Sequence, residues 1–132
     1  MIYMLDTNIC IYILKNKNDK LIQKFSKCNF GDIGISSIVY SELIYGVENS
    51  LTKDENMKNL LKFLSSIIIC DYDVEAANEY GRLRSVLEQS GNVIGSIDML
   101  IAAHACAKKL TLITNNEREF KRIKTLKVEN WL

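Results

Sequence analysis

The sequence contains a single histidine, and its four cysteines lie far apart along the chain. No two cysteines form the C-x-x-C pair typical of zinc sites, so imidazole and paired thiolate ligands are scarce. The apolar start of the chain is too short for a secretion signal and lacks a basic segment. Without such a signal, an even number of cysteines favours disulfides only weakly. These absences disfavour a zinc protein and predict buried, reduced cysteines in the cytoplasm.

Neither sign of charge is in excess, since 17 Lys+Arg residues stand against 16 Asp+Glu residues. Net charge therefore gives no reason to expect nucleic acid, and an RNA partner would need a local basic patch or a metal ion. No apolar run approaches the length of a membrane helix, and low-complexity tracts, like-charge blocks and internal repeats are also absent. With 48% apolar residues, the 132-residue chain predicts one globular domain over residues 1–132.

Short apolar runs alternate with longer segments of helical period. Strands are predicted at 2–5, 33–36, 67–70, 111–114 and 127–129, and helices at 9–14, 38–49, 53–64, 74–88, 97–109 and 117–122. Alternation of this kind favours an α/β fold in which helices cover both faces of a mostly parallel sheet. The short strands are the least secure part, because a brief apolar run can equally be helix.

Helix ends and inward faces are also predicted. Asp73 precedes the helix at 74–88 as a cap and Gly91 follows it, while Ser96 precedes the next helix in the position of a cap. The residues of the amphipathic helix 53–64 that are predicted to point inward are Met57, Leu60, Leu61 and Leu64.

Acidic residues stand where predicted strands end and a buried helix begins. Asp6 directly follows the first strand, where a charge costs solvation unless it is paired or bound to a cation. Asp6 could equally be the cap of the following helix. Asp98 heads a helix that is apolar nearly all round, so it is expected to line a pocket, although a first-turn acid also gains from the helix dipole.

Two further acidic positions are ambiguous. Glu42 lies in an apolar helical segment, although a single helical glutamate is usually solvated. Gly46, one turn later, costs roughly 1 kcal/mol of helix stability relative to Ala, which suggests that something approaches this face closely. After the fourth strand, Glu117 and Glu119 follow two asparagines, and either could be an ordinary first-turn acid.

The acidic positions are expected to converge, because sites in parallel sheets form at the carboxyl ends of the strands. Several carboxylates cannot crowd there fully ionised without a counter-ion. Oxygen ligands favour Mg²⁺ or Mn²⁺, and a carboxylate-bound ion of this kind normally acts on phosphate esters. The residues by themselves therefore predict metal-assisted phosphodiester chemistry.

Five segments of the chain resemble the VapC toxins, which are PIN-domain ribonucleases. They are LDTN at 5–8, SELIYG at 41–46, IGSIDMLIAAHA at 94–105, TNNEREF at 114–120 and VENW at 128–131. Each segment alone is unspecific, but the five together, in order, cover essentially the whole chain. The resemblance implies a single PIN domain over 1–132 with a three-layer α/β/α architecture.

The resemblance also implies which residues carry the chemistry. Asp6, Glu42 and Asp98 correspond to acids that bind Mg²⁺ or Mn²⁺ and activate the attacking water. Many PIN domains carry Asp where Asn116 stands, but a branch with a similar segment uses the acid before the phenylalanine, here Glu119. The residues implied to orient these acids are Thr7, Asn8, Thr114 and Asn116.

Similarity to VapC implies partners as well. One is a VapB antitoxin, whose C-terminal segment would cover a groove of the toxin. Another is a second copy of the chain, in a homodimer. The third is an RNA used in translation, with initiator tRNA cut in its anticodon stem-loop as the leading expectation.

Other interpretations of the same residues remain open. A phosphatase with a nucleophilic Asp after its first strand would need a second Asp two positions after Asp6, where Asn8 stands. A non-catalytic PIN-like module would be expected to have lost acids, yet all three are present. His104 could be a general base, although a packed histidine is expected, and Trp131 is expected to anchor the final strand. Arg82 and Arg84 are plausible phosphate contacts.

Overall fold

Five parallel strands form a single central sheet in the computed structural model, which describes all 132 residues. Every neighbouring pair of strands is parallel, and the order across the sheet is β3-β2-β1-β4-β5. The strands are β1 (Tyr3–Leu5), β2 (Ile33–Ser36), β3 (Ile68–Cys70), β4 (Thr111–Ile113) and β5 (Val128–Glu129). The predicted α/β class with a parallel sheet is confirmed.

Seven helices connect the strands and flank the sheet. They are α1 (Thr7–Leu14), α2 (Asp19–Lys27), α3 (Ser37–Glu48), α4 (Lys53–Leu64), α5 (Val74–Ser90), α6 (Ser96–Ala107) and α7 (Glu117–Phe120). Six of them agree with a predicted helix, with boundaries shifted by up to two residues. The helices that leave β1, β2 and β4 all begin at the same edge of the sheet, because the strands run in one direction.

The α2 helix was absent from the sequence prediction. Its residues are largely polar, and Leu21 is the only one that is fully buried. A cap was nevertheless present, since the Asn18 side chain accepts a hydrogen bond from the Leu21 amide at 2.9 Å. The spacing of Leu21 and Phe25, four residues apart, is also helical, and Phe25 packs against Phe63 of α4.

Helix ends were predicted with mixed success. Asp73 caps α5 by accepting a hydrogen bond from the Ala76 amide at 2.9 Å, and Gly91 ends it with a φ of 72°, as predicted. The prediction that Ser96 caps α6 is wrong. Gly95 occupies the capping position and Ser96 is already the first helical residue, so no side chain caps this helix.

Inward faces follow the helical period with one exception. Leu60 of α4 is 1% exposed, whereas Leu61 is 58% exposed, so the prediction that Leu61 points inward is wrong. Leu60 and Phe63, three residues apart, face the core together, and the next residue round the helix therefore turns to solvent. The α6 helix, in contrast, is buried on nearly all sides, as its apolar sequence predicts.

The ends of the chain and its cysteines were mostly anticipated. Trp131 is buried, and its ring packs edge-on against Tyr3 with the ring centroids 4.9 Å apart, so it anchors the segment after β5. All four cysteines are free, but only Cys10 is fully buried, whereas the other three are partly exposed. No helix combines the length and apolar character that crossing a bilayer requires.

Candidate active site

Asp6 is the first residue after β1 and the capping residue of α1. Its Oδ1 accepts a hydrogen bond from the Ile9 amide at 3.0 Å, and the side chain is 5% exposed. Burial raises the pKa of Asp6, while the Thr114 hydroxyl and the Ile9 amide partly offset that rise. The two interpretations of Asp6 from the sequence therefore hold together, since the residue both caps a helix and faces the site.

Glu42 lies on α3, on the side of the helix that faces the start of α1. The Thr7 hydroxyl donates a short hydrogen bond to Glu42 Oε1. Thr7 is the first residue of α1 and directly follows Asp6. The segment Asp6-Thr7 therefore positions two of the acids. Asp6 is part of it, and Glu42 is bound by the Thr7 side chain.

Asp98 has the most perturbed acidity in the group. It lies in the first turn of α6 and is half-buried. Burial, followed by the negative charges of Glu119, Asp6 and Glu42, raises the pKa of Asp98 to about 6. Four carboxylates thus repel one another at this edge of the sheet, and a proton or a cation relieves that repulsion.

The structure distinguishes the two glutamates of α7. Glu119 lies beside Asp98 and contributes to its raised pKa. The Asn116 amide donates to Glu119 Oε2 at 2.9 Å and so fixes its orientation. Glu117 instead faces Lys121, with its carboxylate 3.5 Å from the ammonium group. Of the two, only Glu119 is brought to the other acids.

The predicted supporting residues differ in what they contact. Thr7 donates to Glu42, and Asn116 donates to Glu119. Thr114 Oγ1 accepts a hydrogen bond from the backbone N–H of Asn116 at 2.9 Å. The hydroxyl proton of Thr114 is therefore free to point to Asp6. Asn8 lines the site but is exposed, and its side chain makes no hydrogen bond.

An open cavity of about 360 Å³ is lined by three of the four acids and not by Glu119. Its lining residues are Asp6, Thr7, Asn8, Glu42, Gly95, Ser96, Ile97 and Asp98. The stretch from Gly95 to Ile97 directly precedes Asp98, and the sequence predicted a helix cap at Ser96 but no site residue there. At Gly95 an added Cβ would lie 3.8 Å from Asp98 Oδ2, which is an ordinary van der Waals distance.

A second groove of about 340 Å³ runs between α1, α3 and α4 and shares Glu42 with the acidic cavity. Gly46 lines this groove, and a Cβ there would have no neighbour within 4 Å. The close approach that Gly46 suggests is therefore not made by another part of this chain. Lys15 and Ser50 also line the groove, and no sequence pattern predicted a role for either.

The donor set suits a hard divalent cation. Carboxylate oxygens and amide or hydroxyl groups are the ligands that Mg²⁺ and Mn²⁺ prefer. No three His, Cys, Asp or Glu side chains form a ready-made cage for a metal ion. Mg²⁺ does not require one, because it keeps several waters and binds through one or two carboxylates. The raised pKa of Asp98 shows that positive charge is favourable here, so these residues fit such an ion.

His104 takes no part in the cavity. It is fully buried, its Nδ1 lies 2.8 Å from Ser36 Oγ, and the edge of the Tyr72 ring packs against it. Burial lowers the pKa of His104, which favours the neutral ring. The prediction of a packed histidine is confirmed, and a role as general base is not supported by its position.

Comparison with known proteins agrees with this geometry. The sequence profile of the PIN domain matches residues 3–126. The chain is 48% identical to ribonuclease VapC2 of Rickettsia felis, over 99% of this chain and 98% of that protein. It is 42% identical to the tRNA(fMet)-specific endonuclease VapC of Shigella flexneri, over 98% and 97% of the two chains. It also superimposes on a chain in the crystal structure of VapBC2 from Rickettsia felis bound to a promoter DNA fragment, with a TM-score of 0.94 and 47% identity over the full length of both chains.

Proposed function

This chain belongs to the PIN-domain family and is similar over nearly its whole length to VapC ribonucleases. On that basis we propose that it is a metal-dependent endoribonuclease toxin paired with a VapB antitoxin. The observation that carries the metal dependence is the cluster of Asp6, Glu42, Asp98 and Glu119. Burial and, after it, the negative charges of the other three acids raise the pKa of Asp98 to about 6, and a bound cation would offset both effects at neutral pH.

Asp6, Glu42, Asp98 and Glu119 are the residues that would hold Mg²⁺ or Mn²⁺. The ion supplies, when bound, an acidified water as the nucleophile and positive charge beside the leaving oxygen of the phosphodiester. Thr7 keeps Glu42 directed into the site, and Asn116 does the same for Glu119. The protein's part in the reaction is thus to hold Asp6, Glu42 and Asp98 in the lining of an open cavity, with Glu119 beside Asp98.

We further propose initiator tRNA as the substrate, cut in its anticodon stem-loop. The support is the tRNA(fMet)-specific endonuclease VapC of Shigella flexneri, at 42% identity. The test is digestion of an initiator tRNA transcript beside an elongator tRNA transcript, followed by sequencing of the fragment ends. Cleavage confined to the initiator anticodon stem-loop is expected, and equal cleavage of both transcripts would contradict this choice of substrate.

The antitoxin is proposed to cover the groove between α1, α3 and α4. This groove adjoins the acids through Glu42, so a segment lying in it would also block the cavity. Structures of similar chains are VapBC complexes, which supports a VapB partner. Inhibition of cleavage by the cognate antitoxin is expected, and a Gly46→Trp substitution that fills the groove should weaken this inhibition.

A homodimer and a cytoplasmic location remain predictions. Light scattering of the purified protein tests whether it is a dimer.

A further inference from the structure

Two segments of the chain are basic, residues 15–27 and residues 118–127, with five Lys+Arg residues each. In the second, Lys121 pairs with Glu117 and Arg122 donates to the Val93 carbonyl. Residues 15–27 hold five of the 17 Lys+Arg residues but only one of the 16 Asp+Glu residues. The rest of the chain has twelve basic and fifteen acidic residues. Because neutral residues separate these lysines, they form no continuous charged block in the sequence. We call them the lysine stripe: Lys15, Lys17, Lys20, Lys24 and Lys27.

All five lysines of the stripe are exposed, and none lies within ion-pair distance of an acidic side chain. Two of them have other contacts. Lys20 donates to the backbone oxygen of Leu132 at 3.4 Å, and the ammonium group of Lys24 lies 6.0 Å from the centre of the Trp131 ring. The stripe is therefore a positive surface without acidic side-chain partners on a nearly neutral protein.

An ordinary solvated helix face differs from this arrangement. On α5 the exposed arginines are neutralised within the helix, since Arg82 pairs with Glu79 and Arg84 pairs with Glu88. These two arginines, which the sequence suggested as phosphate contacts, are thus already engaged. The five lysines of the stripe, in contrast, have no acidic side chain as a partner.

The positions of the lysines on α2 have mixed effects on helix stability. Lys20, Lys24 and Lys27 follow one another at spacings of four and three residues, so like charges repel along one face at a cost of a few tenths of a kcal/mol per pair. Lys20 lies in the first turn, where the helix dipole disfavours a cation, whereas Lys24 and Lys27 lie in the last turn, where the dipole favours one. The three span about 10 Å along the helix, so they form a row of cations that an extended anion could contact.

The stripe reaches the surface next to the acidic site through one residue, Lys15. Lys15 lines the groove between α1, α3 and α4, and Glu42 lines both that groove and the acidic cavity. The carboxylates themselves repel phosphates, so attraction for a polyanion must come from elsewhere on the surface. Lys15 is the member of the stripe that stands at this junction.

We propose that the lysine stripe binds the phosphate backbone of the RNA whose scissile bond lies at the acids. The inference rests on the proposed ribonuclease function and specifies where its substrate is held. Flexible, exposed lysines bind phosphates without reading sequence, so the stripe contributes affinity and orientation rather than choice of the cleaved base. An extended polyanion such as RNA fits these cations, because they are spread along α2 and the segment before it, and none of the main cavities is lined by more than one of them.

The test compares two triple variants with the same loss of charge. The first is Lys15→Gln/Lys17→Gln/Lys27→Gln, which removes stripe lysines that make no side-chain hydrogen bond or ion pair. The control is Lys109→Gln/Lys124→Gln/Lys127→Gln, which removes exposed lysines, two of which line a separate cavity at the amino ends of the strands. Both are made in an Asp98→Asn background to prevent cleavage. Binding of a fluorescein-labelled initiator tRNA transcript is measured by anisotropy from 50 to 200 mM KCl.

The stripe variant is expected to bind at least about tenfold more weakly at 100 mM KCl, with the slope of log K against log salt reduced by about 2, since each phosphate contact contributes about 0.7 to 0.9. In the cleavage-competent background, KM should rise while kcat is retained. The control should bind like its parent. Equal affinity and slope for the stripe variant and its parent would overturn the inference.

Failure of the inference can be separated from failure of the proposed function. If the wild-type chain cuts RNA but the stripe variant binds tRNA normally, only the lysine stripe is misassigned. Normal tRNA binding combined with weaker antitoxin binding would assign the stripe to the protein partner and likewise overturn the inference. If the wild-type chain neither cuts RNA nor binds it, the ribonuclease function itself fails. Circular dichroism of each variant checks that the fold is retained.

Discussion

Thr7 donates a side-chain hydrogen bond to Glu42, a residue that lies 35 positions later in the chain. Thr7 is also the residue that follows Asp6, so a single turn at the end of β1 holds two acids from different elements. The bond joins the start of α1 to α3. It makes the position of Glu42 depend on the same turn that buries Asp6.

Removal of this hydroxyl should reduce catalysis without unfolding the protein. Thr7→Val keeps the shape of the side chain but leaves Glu42 without its partner. Loss of a hydrogen bond to a charged group is expected to lower kcat by about tenfold. Thr7→Ser restores the hydroxyl and is expected to restore most of the activity. Steady-state cleavage of a tRNA transcript measures both, and equal activity of Thr7→Val and Thr7→Ser would show that the contact has no catalytic role.

The raised pKa of Asp98 predicts a pH-dependent stability in metal-free protein. Its folded pKa of about 6 exceeds the unfolded value near 4, so the folded state binds the proton more tightly between these values. Stability contributed by this group is therefore present at pH 4 and is lost as the pH rises through 6. Asp98→Asn lacks the charge and should be more stable than the wild type at pH 7.5, by on the order of 1 kcal/mol after discounting for partial exposure.

Denaturant unfolding at pH 4.5 and pH 7.5, in EDTA, measures this difference. The two proteins should have similar stability at pH 4.5 and diverge at pH 7.5. Adding Mg²⁺ at pH 7.5 should stabilise the wild type more than the variant, because only the wild type offers the full set of carboxylates. A wild type that is more stable than Asp98→Asn at pH 7.5 in EDTA would contradict the repulsion described here.

Glu119 and Glu117 provide a matched comparison on one short helix. Glu119→Gln should lower cleavage by more than about tenfold, since Glu119 faces Asp98 and is held by Asn116. Glu117→Gln removes only the surface pair with Lys121 and should retain activity. Metal affinity, measured by Mn²⁺ titration, should fall for the first variant alone. The reverse pattern would make Glu117 the fourth acid.

The neighbouring asparagines provide a second comparison. Asn116→Ala removes the donor that orients Glu119 and should reduce kcat by about tenfold. Asn115→Ala changes an exposed residue with no side-chain hydrogen bond and should behave like the wild type. Cleavage rates of the two variants under identical metal concentrations make the comparison. Similar losses in both would indicate that the turn itself, rather than the Asn116 amide, is required.

Much of the fold followed from local sequence patterns. The strand at Ile33–Ser36 and the helix at Lys53–Leu64 were predicted with their observed boundaries, because their apolar residues are either continuous or regularly spaced. The parallel arrangement followed from the alternation of strands and helices. The α2 helix was missed, since its surface is almost entirely polar and few apolar residues marked its period.

Only part of the candidate site could be predicted from the sequence. Asp6 and Asp98 stand out because a strand end and a buried helix start are unusual places for carboxylates. The choice of Glu119 over Glu117 depends on which way a short helix turns, and the pairing of Thr7 with Glu42 joins residues far apart in the chain. Neither relationship has a local signature. The contribution of Lys15 likewise depends on a groove formed by three helices.

The central claim is that carboxylates at one edge of the sheet use a divalent metal to cut RNA. Its most direct test is incubation of antitoxin-free protein with total bacterial RNA in Mg²⁺, then in EDTA, and then with Mg²⁺ restored, beside Asp98→Asn and Asp71→Asn. Asp71 is a suitable control, because it follows β3 as Asp6 follows β1 but is exposed and makes no side-chain hydrogen bond. Discrete cleavage that EDTA abolishes and Mg²⁺ restores is predicted for the wild type and Asp71→Asn, and none for Asp98→Asn. Cleavage that persists in EDTA or in Asp98→Asn would contradict the account, and the absence of cleavage by folded, metal-loaded wild type would favour a binding module.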